Sequence, residues 1–122
     1  MSRFGVGASI KKQDAISKVT GAAMFAADIK KPGMLFAKVL RSQVAHAELL
    51  GIDTSEARHQ PGVVRVLTAD DVPGPNGHGI IIKDEPVLCK DKIRRVGDAL
   101  ALIVAESEEA AVAACTFVKV NY

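Results

Sequence analysis

The pattern of apolar and polar residues along this chain predicts short strands interleaved with short helices. The longest apolar run, residues 99–105, reads Ala-Leu-Ala-Leu-Ile-Val-Ala. A run of this length is typical of a strand that is buried on both faces. Along residues 35–41 the apolar side chains fall on both faces, so we expect both faces of that strand to be largely covered. Further strands are expected at residues 48–53, 63–67, 86–89, 93–96 and 117–121.

Two or three short helices are expected between these strands. They begin at residues that commonly cap helices, namely Asp14, Asp53 or Thr54, and Ser107. Gly21 and the Pro61-Gly62 pair are placed to end the first two. The last helix carries a smooth face of small residues that would let it lie close to a sheet: Ala110, Ala111, Ala114 and Cys115. This order of elements predicts a small α+β domain with a mixed sheet rather than a doubly wound one.

Two stretches carry neither pattern. Residues 1–13 contain glycines and are expected to form a weakly structured leading segment. Residues 73–82 are predicted to form a long loop, in which Pro-Gly-Pro-Asn-Gly-His-Gly runs into Ile80-Ile81-Ile82. The loop lacks the Gly-Lys-Ser/Thr ending of a phosphate-binding loop, so that function is not expected.

Length and composition fit one soluble domain spanning residues 1–122, with 48% apolar and 25% charged residues. No apolar run approaches the roughly 20 residues of a membrane span. Sixteen basic and fourteen acidic residues leave a formal charge of +2, which does not indicate a nucleic-acid or membrane partner. A local basic cluster has too few aromatic residues nearby for base stacking: Lys90, Lys92, Arg94 and Arg95.

Cysteine usage and the amino terminus favour a cytoplasmic protein. Cys89 and Cys115 show no Cys-x-x-Cys spacing, and they are expected to be reduced, packed thiols. The Met1 end carries no apolar signal-peptide segment.

No catalytic or metal-binding set can be assembled from the sequence. His46, His59 and His78 lie on separate predicted elements, and no Gly-x-Ser-x-Gly motif is present. The adjacent Asp70 and Asp71 follow Thr68 at the start of a short helical turn, where negative charge is favourable. We therefore interpret these two acids as structural and expect no catalytic residue, cofactor ligand or metal ligand in this chain.

A series of short motifs nevertheless follows a recognisable order over nearly the whole chain. In sequence they are Asp14-Ala15 with Lys18-Val19-Thr20-Gly21, Ala27-Asp28-Ile29, Pro32-Gly33-Met34-Leu35, Leu40-Arg41-Ser42, Ala45-His46-Ala47, residues 52–57, Pro61-Gly62-Val63, Asp71-Val72-Pro73-Gly74, Val96-Gly97 and Val104-Ala105-Glu106. This succession resembles the α/β hammerhead domain of the xanthine dehydrogenase and aldehyde oxidase family.

The resemblance implies the amino-terminal part of the molybdenum-binding subunit of a molybdopterin-dependent hydroxylase. Such enzymes oxidise a purine, another N-heterocycle or an aldehyde, and they pass electrons to [2Fe-2S] clusters and commonly to FAD. In the family the molybdenum cofactor and the general base belong to the large domains that follow. The partners implied are therefore those remaining domains, together with iron–sulfur and FAD subunits, and the domain itself is expected to be a scaffold.

In one segment the resemblance implies site residues. There the corresponding loop ends in a glycine and two apolar residues that line the channel to molybdenum, and these positions fall on Gly79, Ile80 and Ile81. The alternative is that the two isoleucines only anchor the loop to the core. Two departures from the family pattern stand out, Gln43 in place of proline and Asp98 in place of glutamine. The second puts in doubt a hydrogen bond to a neighbouring domain.

Two other functions remain open. An independent protein-binding module would present the Ile80–Ile82 segment to another protein, and a stand-alone small enzyme would need turnover by the 122-residue chain, which we do not expect. The position of Met1 just before the family pattern favours a separate molybdenum subunit. Tyr122 falls where the family's last strand leads into a connection, which favours a truncated product.

Overall fold

The computed structural model describes residues 5–122, which form two compact units, residues 5–32 and residues 33–122. In the first unit, helix α1 spans Ala15–Val19 and a 3₁₀ turn spans Ala26–Asp28. Residues 5–13 hold no helix or strand, and residues 1–4 of the predicted leading segment lie outside the described part of the chain.

Helix α1 lies where the sequence predicted it, but Asp14 does not cap it with its side chain. The Asp14 carboxylate instead pairs with the Lys18 ammonium one turn later, with 2.6 Å between the nitrogen and oxygen. Gly21 follows with a φ of +74°, the left-handed conformation expected at the end of a helix. An ion pair across one turn has thus taken the place of the expected cap.

The second unit holds seven strands and two helices among the described residues. Their bounds are β1 Phe36–Arg41, β2 Ala47–Glu48, β3 Gly51–Asp53, α2 Ser55–Arg58, β4 Val63–Leu67, β5 Lys92–Ile93, β6 Ala99–Ala105, α3 Glu108–Cys115 and β7 Lys119–Asn121. A 3₁₀ turn, Ala69–Asp71, follows β4. The α+β class predicted from the sequence is confirmed, with every pair of described strands antiparallel rather than mixed.

Strand β6 is the centre of the largest sheet, whose order is β1-β6-β4. Its Leu102 faces Val39 of β1 on one side and Leu67 of β4 on the other. The prediction of a strand over residues 99–105 is therefore confirmed. Two further sheets have two strands each, β2 with β5 and β3 with β7.

Helix α3 packs on one face of this sheet through alanines. Ala111 and Ala114 are almost completely buried, and they share a core with residues of β4, β6 and α2. Because alanine adds only a methyl group, the helix axis can approach the sheet closely. The helix begins as the sequence predicted, with the Ala110 N–H donating to Ser107 Oγ at 3.1 Å. A second core cluster includes one residue each from β5 and β6: its members are Leu49, Cys89, Ile93 and Leu100.

Several predicted strands differ from the observed ones. The strand expected over residues 48–53 is two strands, because the Leu49 N–H donates to the Asp91 carbonyl while the Leu50 N–H donates to the Asn121 carbonyl. The chain thus changes partner between these two residues. The strand expected at residues 93–96 ends at Ile93, and the strand expected from Phe117 begins at Lys119. Residues 86–89 form no strand, because the Asn76 side chain takes up backbone groups of Val87 and Leu88, while the Cys89 N–H donates to the Ala99 carbonyl of β6.

The expectation that both faces of the strand at residues 35–41 are largely covered is wrong in part. Leu35 lies before β1 and is 46% exposed, and Ala37 within β1 is exposed as well. β1 is an edge strand of its sheet, so its side chains have neighbours on one side only.

Enlarging Ala114 tests the close approach of α3 to the sheet. We expect Ala114→Leu to lower the free energy of unfolding of the 122-residue chain by about 1–3 kcal/mol, because added methylenes have no space in a packed core. Ala113→Leu is the matched control, since Ala113 lies on the same helix and is exposed. Urea unfolding followed by circular dichroism measures both, and equal effects of the two variants would contradict this packing.

Candidate functional site

The predicted long loop, residues 73–82, leads into a short hairpin that closes at Glu85. His78 and Glu85 pair across it: the His78 N–H donates to the Glu85 carbonyl at 2.8 Å, and the Glu85 N–H donates to the His78 carbonyl at 3.2 Å. We call residues 78–85 the hairpin and Ile80–Ile82 its tip. The tip residues are 104%, 94% and 70% exposed, so the hairpin presents three adjacent apolar side chains to solvent.

Gly79 is required by the way the hairpin folds back. A Cβ at this position would lie 1.9 Å from the carbonyl oxygen of Ile82, a distance that no side chain can adopt. Gly77 is similarly restricted, with a Cβ there 2.9 Å from the Lys83 carbonyl oxygen. Gly79 therefore shapes the turn, while Ile80 and Ile81 project from it without packing on the core of this chain. The structure thus gives no support to the alternative that these isoleucines anchor the loop.

Asn76 fastens the start of the loop, a function that the sequence did not reveal. Its Oδ1 accepts hydrogen bonds from the Val87 and Leu88 N–H groups, each at 3.1 Å, and its Nδ2 donates to the Leu88 carbonyl at 2.6 Å. A side-chain amide thus takes the place of a partner strand at Val87 and Leu88. In the sequence Asn76 is only a common loop residue between Pro75 and Gly77.

A chain of ionic contacts fastens the other side of the hairpin. Arg95 forms ion pairs with Glu85 of the hairpin and with Asp98, whose Oδ1 lies 3.1 Å from Arg95 Nε. Asp98 Oδ2 also accepts hydrogen bonds from the Arg94 N–H at 2.8 Å and from the Arg95 N–H at 3.2 Å. The Asp98 side chain is only 9% exposed and is fully used within this chain.

The turn that holds Asp98 is joined to the end of β1. The Ser42 N–H donates to the Asp98 carbonyl at 2.8 Å, and the Gly97 N–H donates to the Ser42 carbonyl at 2.9 Å. Arg41 Nη1 donates to the Gly97 carbonyl at 2.8 Å. Ser42 is 1% exposed, so the hairpin's ionic contacts end on a buried part of the fold.

The remaining candidate groups serve the structure. Asp71 Oδ2 accepts a hydrogen bond from the Thr68 N–H at 2.9 Å, and this bond contributes most to the lowered pKa of Asp71. Asp70 pairs with Lys90 of the basic cluster at 2.8 Å. This agrees with the structural interpretation of the two acids.

The described residues offer no donor set for a metal ion: no group of three or more His, Cys, Asp and Glu side chains comes together within them. Cys89 and Cys115 are free thiols, and burial raises the pKa of each. A raised pKa keeps them protonated, so neither is a reactive thiolate at neutral pH.

The face of the β1-β6-β4 sheet that does not carry α3 bears an apolar groove of about 400 Å³. Its lining includes Val39, Leu67 and Leu102 from the three strands, together with Val72, which precedes the loop, and Leu88, which follows the hairpin.

The three-stranded sheet, the alanine-faced helix on it and the projecting hairpin together make up the α/β hammerhead domain of this chain. The model of the family described as "Aldehyde oxidase and xanthine dehydrogenase, a/b hammerhead domain" matches residues 20–122. The chain therefore belongs to the aldehyde oxidase and xanthine dehydrogenase family, as the order of its sequence motifs indicated.

Similar proteins are considerably longer than this chain. It is 48% identical over 111 residues to a probable xanthine dehydrogenase subunit from Bacillus subtilis, a match that covers 91% of this chain and 15% of the relative. It is 44% identical over 117 residues to the nicotinate dehydrogenase large molybdopterin subunit from Eubacterium barkeri, covering 96% of this chain and 28% of that one.

The fold agrees with solved structures. The crystal structure of the aldehyde oxidoreductase from Desulfovibrio desulfuricans superposes with a TM-score of 0.89 at 40% identity, covering 94% of this chain and 14% of that chain. Among the described residues, no helix has the length and apolar character needed to cross a bilayer.

The steric requirement at Gly79 predicts the effect of adding a methyl group there. Gly79→Ala should displace the Ile82 carbonyl and disrupt the His78–Glu85 pairing, without loss of the β1-β6-β4 sheet. Chemical shifts of the 122-residue chain measure both. Gly51→Ala is the control, because a Cβ at Gly51 meets nothing within 4 Å; changes confined to the substituted residue in both variants would refute the requirement.

The lowered pKa of Asp98 predicts that the domain loses stability at acidic pH. Burial opposes its ionisation, but hydrogen bonds from the Arg94 and Arg95 N–H groups, with the Arg95 charge, outweigh burial and hold its pKa below the usual 3.8. A lowered folded-state pKa contributes stability above about pH 4, and this contribution is lost as the pH falls through the folded value.

We therefore expect Asp98→Asn to unfold more easily than the parent at pH 7, by about 1–3 kcal/mol, and the difference to shrink below pH 4. Urea unfolding at several pH values measures it. Asp84→Asn is the control, since the described residues show no hydrogen bond or ion pair to that exposed carboxylate. A difference that does not change with pH would contradict the assignment.

Proposed function

We propose that residues 1–122 form one hammerhead domain in the molybdenum-binding subunit of a molybdopterin-dependent hydroxylase. The match of the family model over residues 20–122 is the observation that carries this proposal. The names of the relatives include a purine, an N-heterocycle and aldehydes: xanthine, nicotinate and the substrates of an aldehyde oxidoreductase. The chain spans 15% and 28% of the two sequence relatives, so the oxidation would be carried out by a longer protein.

Within such an enzyme the domain acts as a scaffold. Its two core clusters consist of packed apolar side chains, and Asp71 and Asp98 accept hydrogen bonds that hold turns. The remaining domains of the molybdenum subunit and the iron–sulfur and FAD subunits are its proposed partners. We also propose a cytoplasmic location, in keeping with two free cysteine thiols.

The cysteines of this chain do not fit an iron–sulfur cluster. Ligation of such a cluster commonly requires four cysteine thiolates, and the sequence has two cysteines, in two different core clusters. We propose that the [2Fe-2S] clusters are held by other parts of the enzyme. The family resemblance likewise assigns molybdopterin and FAD to other domains and subunits.

The tip gives the domain a part in substrate access. Ile80 and Ile81 are fully exposed on a hairpin fastened at both sides, an arrangement that holds apolar surface at a fixed position outside the domain. Apolar side chains at the mouth of a pocket desolvate a flat substrate and orient it. We therefore propose that Gly79, Ile80 and Ile81 line the substrate channel, with Gly79 setting the turn and the isoleucines making contact.

Shortening the tip in the whole enzyme tests this. We expect Ile80→Ala with Ile81→Ala to raise KM or alter the preference between substrates by about tenfold, with kcat changed less, because lost apolar contact weakens substrate binding. Steady-state kinetics with an aldehyde and an N-heterocycle measure it. Val112→Ala, a change on the exposed side of α3, is the control.

The same double variant distinguishes substrate access from the second candidate function, that of a protein-binding module. The exposed Ile80–Ile82 segment also favours this second function. If the tip only contacts a partner protein, the double variant would leave KM unchanged and weaken subunit assembly in gel filtration. Unchanged kinetics would thus refute the role of the tip in substrate access.

A further inference from the structure

The hairpin that carries the tip has little apolar packing to hold it. The tip residues are exposed, and the His78–Glu85 pair contributes only two backbone hydrogen bonds. Local segments with few buried contacts open more readily than the core. The direction in which the isoleucines project must therefore be set by polar contacts at the base of the hairpin.

Arg95 is placed to supply such a contact from outside the hairpin. Its guanidinium pairs with Glu85 and with Asp98, two carboxylates on different segments of the chain. A planar guanidinium with several N–H groups can bind two acceptors at once, which an ammonium group does less well. Arg95 is thus the bridge between the end of the hairpin and the turn at residues 94–98.

The turn provides a firm base for this bridge. Asp98 accepts two backbone hydrogen bonds from the turn itself, and its carbonyl accepts the hydrogen bond from the buried Ser42. Glu85 also pairs with His78, whose Nε2 lies 3.7 Å from its carboxylate. Since His78 belongs to the same hairpin, it cannot replace Arg95 as a link to the core.

The other members of the basic cluster form no ion pair with the hairpin among the described residues. Lys90 pairs with Asp70 beyond β4, and Lys92 lies exposed on β5. Arg94 lies close to Glu85, but its backbone N–H donates to Asp98 and its side chain forms no ion pair within the described part of the chain. Arg95 is the member of the cluster that forms an ion pair with Glu85 of the hairpin.

We propose that Arg95 is a positioning residue for the tip, acting through Glu85 to join the hairpin to the turn at residues 94–98. This inference rests on the proposed role of the tip in substrate access. Arg95 itself would not touch the substrate, so its removal should alter where the isoleucines lie and leave the chemistry of the reaction unchanged.

Amide hydrogen exchange in the 122-residue chain tests the positioning independently of any activity. Arg95→Ala should speed exchange of the His78 and Glu85 amides about three- to tenfold, while the amides of β6 keep the parent rates. Arg95→Lys should fall between, since it keeps the charge but loses the two-acceptor geometry. Lys92→Ala, which removes a neighbouring charge, should have no effect. Unchanged exchange at His78 and Glu85 in Arg95→Ala would overturn the proposal.

Steady-state kinetics of the whole enzyme test whether Arg95 affects substrate binding through the tip. Arg95→Ala should raise KM about three- to tenfold with kcat unchanged, and Arg95→Lys should recover part of the loss. Added to Ile80→Ala with Ile81→Ala, it should have no further effect, because Arg95 acts only through those side chains. Faster exchange without a change in KM would uphold the positioning by Arg95 and refute the proposed role of the tip. A fall in kcat would overturn a purely positioning role.

Discussion

The fold depends on the antiparallel pairing of β6 with a strand on each side. Four of its seven residues are buried, Leu100, Ala101, Ile103 and Ala105, and both core clusters draw on it. Its backbone groups are satisfied on both edges, and Ala111 and Ala114 let α3 lie against it. The two small sheets and the loop are attached around this frame, so an error in the β6 register would reverse the faces of the sheet and displace both cores together.

The hairpin is held by a different kind of interaction from the core. Its apolar tip gains nothing from burial in this chain, so the hydrophobic effect cannot fix its position. Instead, Gly79 permits the close return of the chain, Asn76 replaces a missing strand, and the Glu85–Arg95–Asp98 contacts join the hairpin to the turn. Exposed ion pairs are individually weak. They suffice here because the hairpin has few other contacts in this chain that would hold it in a different orientation.

The sequence predicted the features that depend on patterns of neighbouring residues. The apolar run identified β6, Ser107 marked the start of α3, and the order of the motifs identified the family. It did not predict the division of residues 48–53 into two strands, because that division arises from Asp91 and Asn121, partners distant in the sequence. The contacts of Asn76 and Arg95 were missed for the same reason, since a side chain that binds a remote segment leaves no periodic signal. Gly79 was identified only through resemblance, because its steric necessity arises from the approach of the Ile82 carbonyl in the folded hairpin.

Three adjacent isoleucines in water are an unfavourable arrangement for a domain that acts alone. Apolar surface of this kind promotes association, and exposed patches usually mark a site of contact. A loop that needed only to join two strands would be as stable with polar residues at Ile80 and Ile81, since neither packs on this core. Maintaining apolar side chains there while anchoring them with Asn76, Gly79 and Arg95 is consistent with a surface that meets something else at a defined position. In the larger enzyme that we propose, the tip would form part of a site completed by other domains.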